Sequence, residues 1–237
     1  MDVEAHDAET GGIGRYMRNP ASNLVCAEGI RLELEDRQTQ QSKRRQGCTG
    51  SLQKRGLTEA VESGKGVIFA DTMRYGLISN PCRNWGPVGE RVAIPKQMEF
   101  DWVYLWAEIN VVSGGVNVWF LPEMNGATLS RVVRKMPEQW GNNMALVWDN
   151  AGAHKSAAKH LPEGMKVIPL PAYSPELNPV ERFFQELRRK IANKIFVSLE
   201  ELEDALSEAL DEYFQDAEKV RELCAYPWIL EQIQGKR

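Results

Sequence analysis

Two short apolar runs in this 237-residue sequence each lead into an aspartate. Val67-Ile68-Phe69-Ala70 runs into Asp71, and Met144-Ala145-Leu146-Val147-Trp148 runs into Asp149. Runs of that length, closed by an acid, read as buried strands. In an α/β sheet, ligands gather beyond the carboxyl ends of the strands. If these two strands are parallel neighbours, their carboxylates converge. Carboxylates so placed repel, and one must take up a proton unless a cation sits between them. Hard oxygen donors without thiolate or imidazole favour Mg²⁺ or Mn²⁺ over zinc. A third acid from a nearby helix start would complete a two-metal phosphoryl-transfer site, and Glu181 stands on the first turn after Asn178-Pro179. Each acid also has an ordinary structural role. An Asp at a strand end forms turns and caps helices, and Glu181 is placed to close a capping box. Spacing alone does not choose between the two.

The elements that must position these acids follow from periodicity. Residues Leu57–Ser63 read as a short helix closed by Gly64. Trp102–Val112 and Val116–Leu121 are β-branched and aromatic, and Ser113-Gly114-Gly115 between them marks a hairpin turn. Ala127–Trp140 carries Leu129, Val132, Val133 and Met136 at helical spacing. Ala153–Leu161 reads as a helix and Lys166–Leu170 as a strand. Two stronger helices follow, from Pro179 to about Lys194 and from Leu199 to about Phe214. The first has Asn178 at the N-cap, Pro179 at the first helical position and Glu181 three residues after the cap; Ser198-Leu199-Glu200-Glu201 opens the second in the same way. Leu202, Leu206, Leu210, Tyr213 and Phe214 line one face of that last helix. The order β, β-hairpin, α, β, α, β, α, α predicts an α/β domain, a mixed sheet covered by helices.

Composition bounds the function. With 43% hydrophobic and 26% charged residues, the chain is an ordinary globular one, which excludes collagen-like, mucin-like and wholly disordered classes. Its apolar runs fall far short of the roughly 18 residues that span a membrane, and its acidic, polar start predicts no secretory signal. Cys26, Cys48, Cys82 and Cys224 form no Cys-x-x-Cys pair. That argues against a zinc ribbon and for a reduced, cytoplasmic setting. The three histidines, His6, His154 and His160, are too few for a histidine-rich metal site. Ser63-Gly64-Lys65-Gly66 lacks the spacing of a phosphate loop, and no serine-hydrolase elbow is present. The net charge of −4 counts mildly against DNA as a partner, but charge is unevenly spread. Between Arg182 and Lys194 five bases face one acid, whereas from Ser198 onward eleven acids face four bases. Residues 1–56, with sparse apolar positions and the polar run Gln38–Gln46, are expected to be disordered or a remnant, with one short helix near Ala27–Glu35.

The words around the acids are more specific than their spacing. Ala145-Leu146-Val147-Trp148-Asp149-Asn150-Ala151-Gly152-Ala153-His154-Lys155-Ser156, followed by Leu170-Pro171-Ala172-Tyr173-Ser174-Pro175-Glu176-Leu177-Asn178-Pro179-Val180-Glu181, resembles the DDE transposases, in particular the mariner-type group and its bacterial insertion-sequence relatives. Ile68-Phe69-Ala70-Asp71, with Arg74-Tyr75-Gly76 and Trp85-Gly86-Pro87-Val88-Gly89, is similar to the first catalytic block of that group. The resemblance runs from about Leu57 to Phe214, and the Tyr173–Glu181 block is its most specific part. It implies an RNase H-like fold over residues 57–216, with Asp71, Asp149 and Glu181 as the catalytic, metal-binding triad; beyond it, a C-terminal helical tail is expected over 217–237. It further implies two Mg²⁺ (or Mn²⁺) ions that activate water and then a DNA 3′-hydroxyl for attack on phosphodiesters. The expected partners are transposon-end and target DNA and a second copy of the chain in a homodimer, with no membrane and no small-molecule cofactor. A cytoplasmic, nucleoid-associated location follows.

The chain departs from the family pattern in three respects. Thr72 stands where many relatives carry a second acid, the interval from Asp149 to Glu181 is slightly short, and residues 1–56 show no helix-turn-helix for reading element ends. The alternative expectation is therefore a truncated, non-catalytic fragment that binds DNA or inhibits a full-length transposase. A different RNase H-like nuclease is the third reading.

Candidate DNA contacts are Arg182, Arg188, Arg189 and Lys190, which follow Glu181 on one helix, and His154, which either meets a phosphate or orients a carboxylate. For the basic residues the alternative is a solvated face. Trp102, Trp106, Trp119 and Trp148 are expected in the core, while Trp85, in a Gly/Pro-rich loop, is placed to flank the cleft.

Overall fold

The computed structural model describes residues 56–89, 92–171 and 174–234. The expected disordered segment, apart from Gly56, and Tyr173 of the motif lie outside the described residues. All the elements that follow belong to the unit over residues 49–237.

A helix over 56–62 (α1) leads into β1 (Gly66–Ile78), β2 (Met98–Asn110) and β3 (Gly115–Leu121). Then come α2 (Gly126–Trp140), β4 (Met144–Trp148), α3 (Gly152–Ala158) and β5 (Lys166–Pro169). A 3₁₀ turn (Pro175–Leu177) precedes α4 (Pro179–Ile191), α5 (Leu199–Gln215), α6 (Ala217–Cys224) and α7 (Pro227–Ile233). The strands form one sheet in the order β3-β2-β1-β4-β5. β1, β2 and β3 are antiparallel neighbours, whereas β4 and β5 join β1 in parallel. The mixed, helix-covered sheet is therefore the one that the element order predicts.

β1 corrects one expectation. It does not stop at Asp71 but continues to Ile78, with Met73, Tyr75 and Leu77 buried on alternate positions. That is period 2, written in the sequence as the alternation of Met73, Tyr75 and Leu77 with Thr72, Arg74 and Gly76, but passed over when the fully apolar run is taken to close at the acid. What ends near Asp71 is the parallel pairing with β4, whose last partners are Phe69 and Val147. Asp71 thus sits mid-strand but at the carboxyl end of the parallel half of the sheet.

Two apolar layers cover the faces. Val67, Phe69, Met73 and Val147 pack under α4, α5 and α6 through Val180, Phe183, Leu187, Leu206 and Val220. Ile68, Ala70, Leu146 and Trp148 pack under α2 and α3 through Leu129, Val133, Met136 and Ala157. Asp71 shares the alternation of Phe69 and Met73, which turns it toward α4. α6 and α7 are part of this packing, for Val220, Cys224 and Ile229 are buried in the α4 layer. Gly114 in the β2–β3 turn has φ of 74° and lies where a Cβ would come 2.0 Å from the Ala217 carbonyl, so a side chain there would displace the start of α6.

The caps behave largely as the sequence predicts. Asn178 and Ser198 cap as expected, Asn178 Oδ1 accepting from Val180 N and Ser198 Oγ from Glu201 N, while Glu201 reaches back to Val197 N rather than to Ser198; Asn125, which the sequence did not mark, caps α2 at Thr128 N. On α5, Leu202, Leu206, Leu210 and Tyr213 are buried, but Phe214 is 54% exposed, outside the apolar stripe. Among the described residues no helix is long and apolar enough to cross a membrane.

Candidate active site

The β1–β4 register delivers the first two acids. Phe69 and Val147 are the last partners of the parallel ladder, and Asp71 and Asp149 each lie two residues beyond that pair, lining the same cleft. Glu181 comes from the first turn of α4, the helix that covers this part of β1. All three line one cleft of about 450 Å³, with Asn150, Lys155, Ser174 and Asn178 among the other lining residues.

Each acid is held differently. Asp71 Oδ1 accepts from the Thr72 backbone N–H at 2.7 Å, and Oδ2 accepts from Asn178 Nδ2 at 3.1 Å. The same Asn178 amide donates to the Ala70 carbonyl at 3.1 Å, while its Oδ1 caps α4 at Val180 N at 3.2 Å. Asp149, whose side chain is 51% exposed, accepts the Ala151 N–H at 2.9 Å and the His154 Nδ1–H on Oδ1. It therefore forms the turn into α3 and still faces the cleft. Glu181 does not close the expected capping box, because the Asn178 N–H donates to the Pro175 carbonyl at 2.9 Å. Its carboxylate is left to the cleft.

Electrostatics separate the two aspartates. Burial pushes the Asp71 carboxyl up to about 7; the Thr72 N–H opposes this, and the negative charges of Glu181 and Asp149 add to it. Asp149 moves the other way, below the usual carboxylate range, chiefly through the His154 hydrogen bond. A buried acid driven toward protonation by two acid neighbours is the environment a hard cation relieves, so the donor set suits Mg²⁺ or Mn²⁺ by chemistry. Among the described residues, however, no three His, Cys, Asp or Glu side chains close on a single ion position.

The other expected site residues fall in distinct places. His154 is 1% exposed, stacked on Trp148 and edge-on to Trp106. Of its two expected roles the structure shows the carboxylate partner, and its burial leaves no face for a phosphate. Arg182 and Arg189 line a second groove of about 890 Å³ that shares Pro175, Asn178 and Glu181 with the cleft and is walled on the far side by Leu223 and Tyr226. The Arg182 guanidinium lies 5.9 Å from the Tyr226 ring centroid, and Arg189 pairs with Glu186 at 3.0 Å. Lys190 turns instead to Glu212 and the Tyr213 ring on α5. Arg188 is half-buried, and its backbone carbonyl accepts from Asn80. Trp106 and Trp148 are core residues as expected, Trp102 and Trp119 are only partly buried, and Trp85 is 98% exposed and not among the residues lining the cleft.

Two cleft residues were not singled out by the sequence. Lys155 is exposed and is the one cation among the described residues lining the cleft. Its place six positions after Asp149, on the helix that follows it, was the available signal. Asn178 was legible only as a helix cap. Its partner on β1 is 107 positions away in sequence, and no local pattern carries that contact.

Sheet order, mixed pairing and helices on both faces define an RNase H-like α/β domain with an acidic cleft at the carboxyl end of its parallel strands. The chain belongs to the DDE superfamily endonucleases, whose family model matches residues 66–203. The fold is similar to that of the Mos1 strand transfer complex, with a TM-score of 0.56 at 15% identity over 96% of this chain and 81% of that chain. It is likewise similar to the Mos1 mariner paired-end complex with Mn, at 0.52 and 16% identity over 100% and 84%. At such identities the likeness concerns the fold. An uncharacterised protein of Sinorhizobium fredii, y4pE/y4sA, is 35% identical over 63 residues, which are 26% of this chain and 47% of that protein. The chain thus spans about half the length of the curated relative it matches. The family and fold that the motifs resemble are both borne out.

Proposed function

We propose that residues 57–216 form the catalytic domain of a DDE transposase that cleaves DNA at transposon ends and joins the freed ends to target DNA. The observation that carries this reading is the single cleft lined by Asp71, Asp149 and Glu181, the three acids of the family motifs. These carboxylates would hold two divalent cations, which supply charge neutralisation and Lewis acidity to the attacking and leaving oxygens of the phosphodiester. The chain's own groups do the rest. His154 fixes Asp149 in its ionised form and keeps Oδ1 occupied, so Oδ2 is the oxygen left for a ligand. Burial and the Asn178 amide hold Asp71 against the sheet. Lys155 places a positive charge at the rim of an otherwise acidic cleft, where it attracts a phosphate. Arg182 and Arg189, along the adjoining groove, fit backbone contacts that position DNA without reading its sequence. A homodimer acting on paired ends in the cytoplasm completes the proposal.

The test is nicking of supercoiled plasmid with Mg²⁺ or Mn²⁺, beside Asp149→Ala and an EDTA control. Nicking that requires both the metal and Asp149 is the expected result. A folded chain that does not nick, or one whose nicking survives Asp149→Ala, removes the catalytic reading. The non-catalytic, inhibitory fragment would then stand.

A further inference from the structure

We propose that Asn178 is a positioning residue for the cation site, a role separate from its capping of α4. The inference rests on the reading of Asp71, Asp149 and Glu181 as cation ligands. Asn178 is 2% exposed, and its carboxamide is divided between two elements. Oδ1 serves α4, accepting from Val180 N at 3.2 Å, while Nδ2 serves β1, donating to Ala70 O and Asp71 Oδ2, each at 3.1 Å. Capping requires an acceptor alone, and Ser or Asp would supply it as well. The donor half is what capping leaves unexplained, and it is spent on a ligand carboxylate and on the carbonyl immediately before it.

The geometry gives the donor a purpose. Asp71 comes from the middle of a strand and Glu181 from the first turn of a helix, elements joined by more than a hundred residues of chain. Asn178 is three positions before Glu181, so one amide links the turn that bears Glu181 to the carboxylate that Glu181 must face. Thr72 N–H already holds Asp71 Oδ1. With Asn178 on Oδ2, both oxygens are oriented by fixed donors, and the Asp71 side chain cannot rotate away from the cleft without breaking one of them. Hydrogen bonds of this kind to a ligating carboxylate set its orientation, and their loss costs about 10–100-fold in metal affinity or activity.

Asn178→Ser and Asn178→Ala separate the two roles. The Ser hydroxyl can still cap Val180 N but is too short to reach Asp71; Ala does neither. Mn²⁺ binding to the full chain is measured by titration calorimetry and by electron paramagnetic resonance, alongside thermal melts in EDTA. The positioning role predicts that both variants bind Mn²⁺ about 10–100-fold more weakly than wild type, while Ala, which loses the cap as well as the donor, melts at a lower temperature than Ser. Plasmid nicking by Asn178→Ser should recover when Mn²⁺ is raised, which no concentration of Mn²⁺ does for Asp149→Ala. Wild-type Mn²⁺ affinity in a folded Asn178→Ser overturns the inference and leaves Asn178 a cap only. Absence of Mn²⁺ binding by wild type removes the cation-site reading, and the inference with it. Binding that is lost in Asp71→Asn but unchanged in Asn178→Ser sinks the inference alone.

Discussion

The imidazole of His154 lies flat on the indole of Trp148, with ring centroids 4.9 Å apart and planes inclined by 7°. Trp106 meets the same imidazole edge-on at 5.6 Å. Trp148 is the last residue of β4 and Asp149 the first beyond it, so His154 is held by one residue while its Nδ1 holds the next. Because an ionised carboxylate only accepts, Nδ1 must carry the proton. Nε2 is buried without a hydrogen-bond partner.

His154→Phe keeps the stack and removes the donor. It should fold with a melting temperature near that of wild type and nick plasmid about 10–100-fold more slowly, the usual loss when a ligand's partner is removed. His154→Asn restores a donor near the Nδ1 position and should recover part of the rate, at a stability cost of about 0.5–1.5 kcal/mol for the lost aromatic pair. Full nicking by the Phe variant would reduce His154 to packing.

The raised Asp71 carboxyl makes cation binding pH-dependent. Burial first, and the neighbouring acids with it, hold a proton in the folded, cation-free chain up to about pH 7 that the unfolded chain releases near 3.8. Folding is therefore helped by this group at low pH, and that help declines as pH rises from about 4 to 7. A cation must displace the same proton, so Mn²⁺ affinity should climb by up to about tenfold per pH unit below 7 and level off above. Melts in EDTA between about pH 5 and 8, taken as wild type minus Asp71→Asn, isolate the group in folding, and Mn²⁺ titrations of wild type over the same range follow it in binding. A flat melt difference together with a pH-independent affinity would refute the assignment.

Lys155 is exposed at the cleft rim and should act on DNA rather than on stability. Lys155→Ala is expected to weaken DNA binding in EDTA and to lower the slope of log affinity against log salt by about one. Lys155→Arg should keep the wild-type slope, and melting temperatures should not move. An unchanged slope in the Ala variant places Lys155 outside the DNA path.

Glu108 predicts stability without function. It is fully buried on the face of the sheet opposite Asp71 and accepts from Trp106 Nε1 at 2.8 Å, Asn117 Nδ2 at 3.0 Å and Trp140 Nε1 at 2.6 Å. Burial raises its carboxyl, and these three donors oppose the rise. Glu108→Ala strands donors from β2, β3 and α2 and should cost about 3 kcal/mol by denaturant unfolding. Glu108→Gln keeps an acceptor and should cost less. Nicking per folded molecule, measured well below the melting temperature, should be unaffected in both.

Sequence alone determined the acids, the motif words around them and most of the strands and helices, because apolar period and cap residues act over a few positions. It placed β4 to the residue and the start of α4 at Pro179. It ended β1 too soon, because the unbroken apolar run stops at Asp71 and the strand changes there from a continuous apolar pattern to an alternating one. Only the tertiary structure decided that β1 and β4 are parallel neighbours, with Asp71 and Asp149 lining the same cleft. Only there does Asn178 become more than a cap, His154 a buried partner rather than a phosphate contact, and Lys155 a wall of the cleft. Lys190, equivalent to Arg182 and Arg189 as a charge in the sequence, is turned by the helix to Glu212 instead. The reason is physical. Element formation is dictated by neighbours in the chain, whereas the convergence of side chains over a hundred positions apart depends on how the faces of the sheet and helices pack.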